Sequence, residues 1–180
     1  MENKTTTILF GVALLLALAA GVLWSQANEA GALMCAIGAA WLGCFGAGSV
    51  SRWLGLISSG FVALMVSLYL GVQHKGGAGE SICSVSQTFD CDKVNTSEFA
   101  KLFDIPIAFL GSSFYAGVIV LALLVFRGGQ YKNAAQLIAA GGWLSIAYSA
   151  FLAYASVQIG AWCLFCISLY GLNALILYFA

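Results

Sequence analysis

Six stretches of about twenty residues run almost without charge through this chain, and they limit what it can become. They cover about Thr5–Trp24, Ala30–Val50, Trp53–Val72, Ile105–Phe126, Ala134–Ser156 and Ile159–Ala180. An apolar helix of about 20 residues spans the hydrocarbon of a bilayer, and inside lipid every backbone group needs an internal partner. The expected class is therefore an all-α integral membrane protein with six transmembrane helices. Of the 180 residues 62% are hydrophobic and 8% charged, which no soluble domain of this size matches. The net charge of zero gives no basic footprint for nucleic acid. A signal peptide is the rival reading of the first run, since Ser25-Gln26-Ala27 resembles a cleavage site. The run is longer than the usual h-region of about 7–15 residues, which favours a span.

Residues 73–104 break the pattern. His74, Lys75, Glu80, Asp90, Asp92, Lys93, Glu98, Lys101 and Asp104 cluster there, after a flexible Gly76-Gly77-Ala78-Gly79 lead-in. Asn95-Thr96-Ser97-Glu98 has the form of a helix cap with a residue that bonds back. Phe99, Leu102 and Phe103 follow at amphipathic spacing, so a short helix lying along the membrane surface is expected. His74, the only histidine, is expected as a solvated residue at a span end.

The six cysteines fall in three pairs. Cys35 and Cys44 lie nine apart on one span, about 180° around a helix, and are expected as core thiols. Cys83 and Cys91 lie in the polar loop, and Cys163 and Cys166 open the last run. On a helix Cys163, Cys166, Tyr170 and Asn173 fall within roughly 80° of one another. The first-turn position favours a thiolate through the helix dipole. Counting spans puts the polar loop and the Cys163/Cys166 helix start on one side of the membrane. Lys4, Arg52, Arg127 and Lys132 fall on the other, which the positive-inside rule makes cytoplasmic. Both termini are then cytoplasmic and the four cysteines face outward, where disulfides persist. A mobile loop dithiol can meet an aqueous partner, while the helix dithiol at the bilayer edge can meet a lipid carrier. Structural disulfides and a metal site made by the four cysteines are the competing readings. The eight-residue spacing of Cys83 and Cys91 argues against zinc.

Together these motifs resemble the vitamin K epoxide reductase family, including its bacterial homologues. The resemblance covers about residue 54 to the end. It rests on Ser67-Leu68-Tyr69, the Cys83/Cys91 spacing, Ser97 six after Cys91, Cys163-Leu164-Phe165-Cys166, Tyr170 and Asn173. The close cysteine pair comes last, unlike in the DsbB family. The resemblance implies that residues 53–180 form a four-helix bundle around a quinone (ubiquinone, menaquinone or vitamin K type), with residues 1–52 as two additional helices. It implies that Cys83 exchanges with a thioredoxin-like partner and that Cys91 relays by a disulfide with Cys163. Cys166 then lies nearest the quinone, Tyr170 and Asn173 contact it, and Ser97 supports the loop cysteines; read from position alone, Asn173 is more simply glue between helices. No metal is expected. The implied activity is oxidation of the partner in support of disulfide formation, at a bacterial inner membrane with the cysteines facing the periplasm or exterior. Reduction of vitamin K or its epoxide is the alternative within the family. Two positions depart from the pattern: Ala100 or Lys101 stands where the family has a quinone-contacting Asn, and Asp104 where it has Gly. The thioredoxin-like domain that some bacterial homologues carry is not found up to Ala180, so the expected partner is either a separate protein or a domain beyond this sequence.

Overall fold

The computed structural model describes residues 4–25, 29–76, 81–84, 86–129 and 133–180. Gln26 and Ala27 of the rival cleavage site, Gly77–Gly79 of the lead-in and Lys132 lie outside these residues. The long apolar runs are helices: α1 (Lys4–Ser25), α2 (Glu29–Val50), α3 (Arg52–His74), α5 (Ile107–Phe126), α6 (Ala134–Ile159) and α7 (Leu164–Phe179). Five are long and apolar enough to cross a membrane, and α7 is a shorter apolar helix of 16 residues. The chain is an all-α integral membrane protein.

The α6–α7 corner falls later than hydropathy alone indicates. Helix α6 runs on through Ser156 and Gln158 to Ile159. Gly160 then adopts a left-handed conformation (φ 69°), and its N–H bonds back to Ser156 and Val157, ending the helix. Residues 161–163 are extended, and α7 begins only at Leu164 with Cys163 as its N-cap.

The loop also differs in detail. Its helix, α4, spans Cys91–Asn95, earlier than expected. Asp90 rather than Asn95 is the cap, its carboxylate accepting the Lys93 N–H at 2.9 Å. Asn95 instead ends the helix and turns its amide N–H to the Leu70 carbonyl of α3 (2.8 Å). His74 is half-buried and its Nδ1 meets the Asn95 carbonyl at 2.6 Å, so this histidine staples α4 to α3. A 3-10 turn at Glu98–Ala100 replaces the rest of the expected helix. A two-residue hairpin, β1 (Lys101–Leu102) with β2 (Ile105–Pro106), leads into α5. Phe103 and Asp104 at its tip have φ 52° and 63°. The left-handed Asp104 is where the family pattern has Gly, and Asp tolerates that region better than most residues.

Helix α3 packs on α5 and α7, α6 packs on α7 and more sparsely on α5, and α2 lies against α3 with α1 outside it. One core cluster fills the bundle around Leu56, Ala63, Val118, Ile138, Leu172 and Ile176. Cys44 belongs to this cluster and Cys35 is half-buried, in keeping with packing thiols. Helices α2, α3 and α7 meet through small residues: a Cβ on Gly55 would lie 2.7 Å from the Gly48 Cα and 2.8 Å from the Phe179 ring. Close approach through glycine is how apolar helices associate in lipid. Gly55→Ala is therefore expected to destabilise the protein by about 1–3 kcal/mol, read as a lower thermal midpoint in detergent. Gly117→Ala on α5 meets nothing within 4 Å. It should leave the midpoint unchanged or raise it.

Candidate functional site

A second core cluster holds Cys83, Cys91 and Cys163 with Leu70, Val94, Ala161, Leu164 and Phe165. The loop reaches it through backbone pairing. Phe89 forms a parallel bridge with Trp162: the Trp162 N–H bonds to the Thr88 carbonyl at 2.8 Å, and the Asp90 N–H to the Trp162 carbonyl at 3.1 Å. Cys91 follows Asp90 and Cys163 follows Trp162, so the bridge delivers both to the same place. Cys83 and Cys91 form a disulfide. The Cys163 thiol is free, and its Sγ and those of Cys83 and Cys91 all lie within 4.8 Å of one another. All three cysteines are buried.

Cys166 is free, half-buried and not part of that trio. Its N–H donates to Cys163 Sγ at 3.1 Å, so the Cys163 sulfur caps the N-terminus of α7. The Cys166 side chain faces a cavity of about 330 Å³ enclosed by α3, α5, α6 and α7 and roofed by the α4–β1 segment. Leu70, Leu110, Phe114, Leu144, Leu152 and Leu169 make its walls mainly apolar. Tyr170, one turn below Cys166, also lines it, and its hydroxyl is buried with no hydrogen-bond partner. A buried donor without a partner costs roughly 1–3 kcal/mol unless a ligand takes it up. An apolar cleft of this size holding one unspent donor fits a flat ring with a carbonyl oxygen.

Asn173 lines the same cavity, but its amide is already engaged. It accepts from the Tyr115 hydroxyl at 2.9 Å and donates to Ser149 Oγ at 3.1 Å, joining α5, α6 and α7 beneath the pocket. Ser97 reaches the cavity too, and its hydroxyl bonds to the Val94 carbonyl (2.7 Å) at the end of α4, not to a cysteine. The hydroxyl beside a loop cysteine belongs to Ser81, whose Oγ is 3.1 Å from Cys83 Sγ. Neither Ser81 nor Asp92 stands out in the sequence. Asp92 accepts the Ser81 N–H (2.8 Å) and the Ser84 hydroxyl (3.0 Å), and so closes the turn that carries Cys83.

The vitamin K epoxide reductase family model matches residues 53–180, which takes in α3 to α7 and the whole cysteine loop. The chain belongs to that family. A search of curated proteins gives no significant match. Membership makes the protein a membrane oxidoreductase working through cysteine pairs, in a family that acts with quinones. The two N-terminal helices lie outside the matched region.

Asp92→Ala removes the acceptor for two bonds of the Cys83 turn. It is expected to speed reduction of the Cys83–Cys91 disulfide by a small-molecule dithiol about tenfold, followed by mass-tagging of the freed thiols.

Proposed function

We propose that this protein oxidises the dithiol of a thioredoxin-like partner and passes the electrons, through Cys83/Cys91 and then Cys163/Cys166, to a quinone in the membrane. The observation that carries this reading is the placement of the Cys163 sulfur within 4.8 Å of the Cys91 sulfur, while Cys166 opens onto an apolar cavity. Thiol–disulfide exchange needs a thiol and a disulfide in reach of each other, and the bridge between the loop and Trp162 brings the Cys83–Cys91 disulfide to Cys163.

The partner's thiolate attacks Cys83, and its second thiol resolves the mixed disulfide, leaving Cys83 and Cys91 reduced. Because Cys83 is buried, the Ser81–Ser84 turn must swing out first, while α4 and the bridge hold Cys91 in place. Cys91 then attacks an oxidised Cys163–Cys166 pair at Cys163, releasing Cys166 beside the cavity. Cys83 next attacks Cys91 of the Cys91–Cys163 disulfide, which re-forms Cys83–Cys91 and leaves Cys163 and Cys166 as the dithiol that gives up two electrons and two protons on closing again. A quinone bound there supplies the two-electron, two-proton sink. Tyr170 holds a carbonyl oxygen through its unspent hydroxyl and stabilises negative charge developing on it. Asn173 and Tyr115 form the polar floor that fixes Tyr170's neighbours, and Ser97 anchors the roof. Ubiquinone, menaquinone and vitamin K type rings all fit this chemistry. Arg52 and Arg127 at the ends of the bundle opposite the cysteines, set against Lys75, Lys93 and Lys101 on the cysteine side, support a cytoplasmic side at the arginines, with the sulfurs facing the periplasm or exterior of a bacterial inner membrane.

Anaerobic mixing of reduced thioredoxin-like donor, protein and a soluble quinone, followed by absorbance, tests the reading. Cys166→Ala should abolish quinone reduction while leaving the Cys83–Cys91 disulfide reducible by the donor. Tyr170→Phe should slow the quinone step about a hundredfold, the usual scale for loss of one preorganised donor. Quinone reduction that survives Cys166→Ala would rule the relay out.

A further inference from the structure

A directed chain of hydrogen bonds ends on the Cys83 sulfur. The Gln73 side-chain N–H donates to the Tyr69 oxygen at 3.0 Å, and so does the Ile82 backbone N–H at 3.1 Å. The Tyr69 hydroxyl, with its lone pairs thus occupied, donates to Ser81 Oγ at 3.4 Å. Ser81 Oγ also accepts the Cys83 backbone N–H (3.4 Å), which leaves its own proton to point at Cys83 Sγ, 3.1 Å away. The Ser81 backbone is pinned by Asp92. The Tyr69 ring stands edge-on to Phe165, the residue before Cys166, with centroids 5.3 Å apart. Ser81 and Cys83 are both buried, so water does not compete for the sulfur.

We infer that Ser81, backed by Tyr69, is a positioning residue that stabilises negative charge on the Cys83 sulfur during disulfide exchange. The inference deepens the relay proposed above and rests on it. When the Cys163 thiolate attacks Cys91, the Cys91–Cys163 bond forms and the Cys83–Cys91 bond breaks. The bonding pair stays on Cys83, and the proton lost by Cys163 is balanced by the one Cys83 gains. No net oxidation occurs. Run backwards, the same step makes Cys83 the attacking thiolate. In each case an O–H donor already aimed at Cys83 meets the charge as it appears, and the chain behind Ser81 strengthens that bond. The same bond makes Cys83 a good leaving sulfur when Cys163 attacks Cys91.

The test uses Cys91→Ala protein, in which Cys83 is a free thiol, and follows its alkylation by iodoacetamide against pH through the Cys83 peptide. Adding Ser81→Ala should move the pH midpoint of alkylation up by about one unit, the scale of one lost bond to a charged group. Tyr69→Phe should move it up by less, and Ser81→Thr should restore it. A midpoint that stays put in Ser81→Ala, or a change in the high-pH rate alone, overturns the inference, because a structural role alters access and not the midpoint. Neither quinone nor partner enters this assay. Its failure therefore leaves the electron relay standing, whereas failure of the relay is read in quinone reduction by the wild-type protein.

Discussion

Two backbone hydrogen bonds between residues 88–90 and Trp162 set the geometry on which the rest depends. They tie a polar loop to the corner between α6 and α7, and they put the residue that follows each segment, Cys91 and Cys163, side by side. The corner exists because Gly160 turns left-handed and leaves three residues extended before α7 can start. Each such bond contributes only about 0.5–1.5 kcal/mol net. The loop is held mainly by the buried cluster around Leu70, Val94 and Phe165 and by the staple from His74 and Leu70 to Asn95. The Cys83 turn is held through Tyr69, Asp90 and Asp92.

The second constraint is the division of the bundle into a sulfur-bearing edge and a mainly apolar chamber. Cys166 and Tyr170 join them, one helical turn apart on α7. The Tyr115–Asn173–Ser149 network satisfies the polar groups below the chamber and links three helices there. Of the two buried side-chain hydroxyls without a partner among the described residues, Ser59 and Tyr170, Tyr170 is the one that lines the chamber. A site built to hold an oxygen-bearing ring needs that separation, since unspent donors are costly and are kept only where a ligand takes them up.

Hydropathy and charge made the spans legible, because bilayer thickness and backbone satisfaction leave few alternatives. The cysteine spacing and span parity brought the Cys83/Cys91 loop and the Cys163/Cys166 helix to one side, and the folded chain has them in contact. Other features depended on competition that local pattern does not settle. Asp90 and Asn95 are both good caps, and tertiary bonds from Leu70 and His74 to Asn95 decide for Asp90. The partners of Cys83 were hidden for another reason. Tyr69 lies 12 residues before Ser81 and Asp92 lies 11 after it, and no periodicity marks serines in a turn. Asn173 sat on the right stripe, but only its neighbours on α5 and α6 reveal that its amide is occupied.

The central claim is that Cys91 and Cys163 exchange directly, and a double variant tests it most directly. In Cys83→Ala/Cys166→Ala protein, the two remaining site thiols should close to an intramolecular Cys91–Cys163 disulfide under mild oxidation, seen as a single cross-linked peptide by mass spectrometry. If both thiols instead stay open to alkylation, or cross-link only between molecules, the relay through these sulfurs is contradicted.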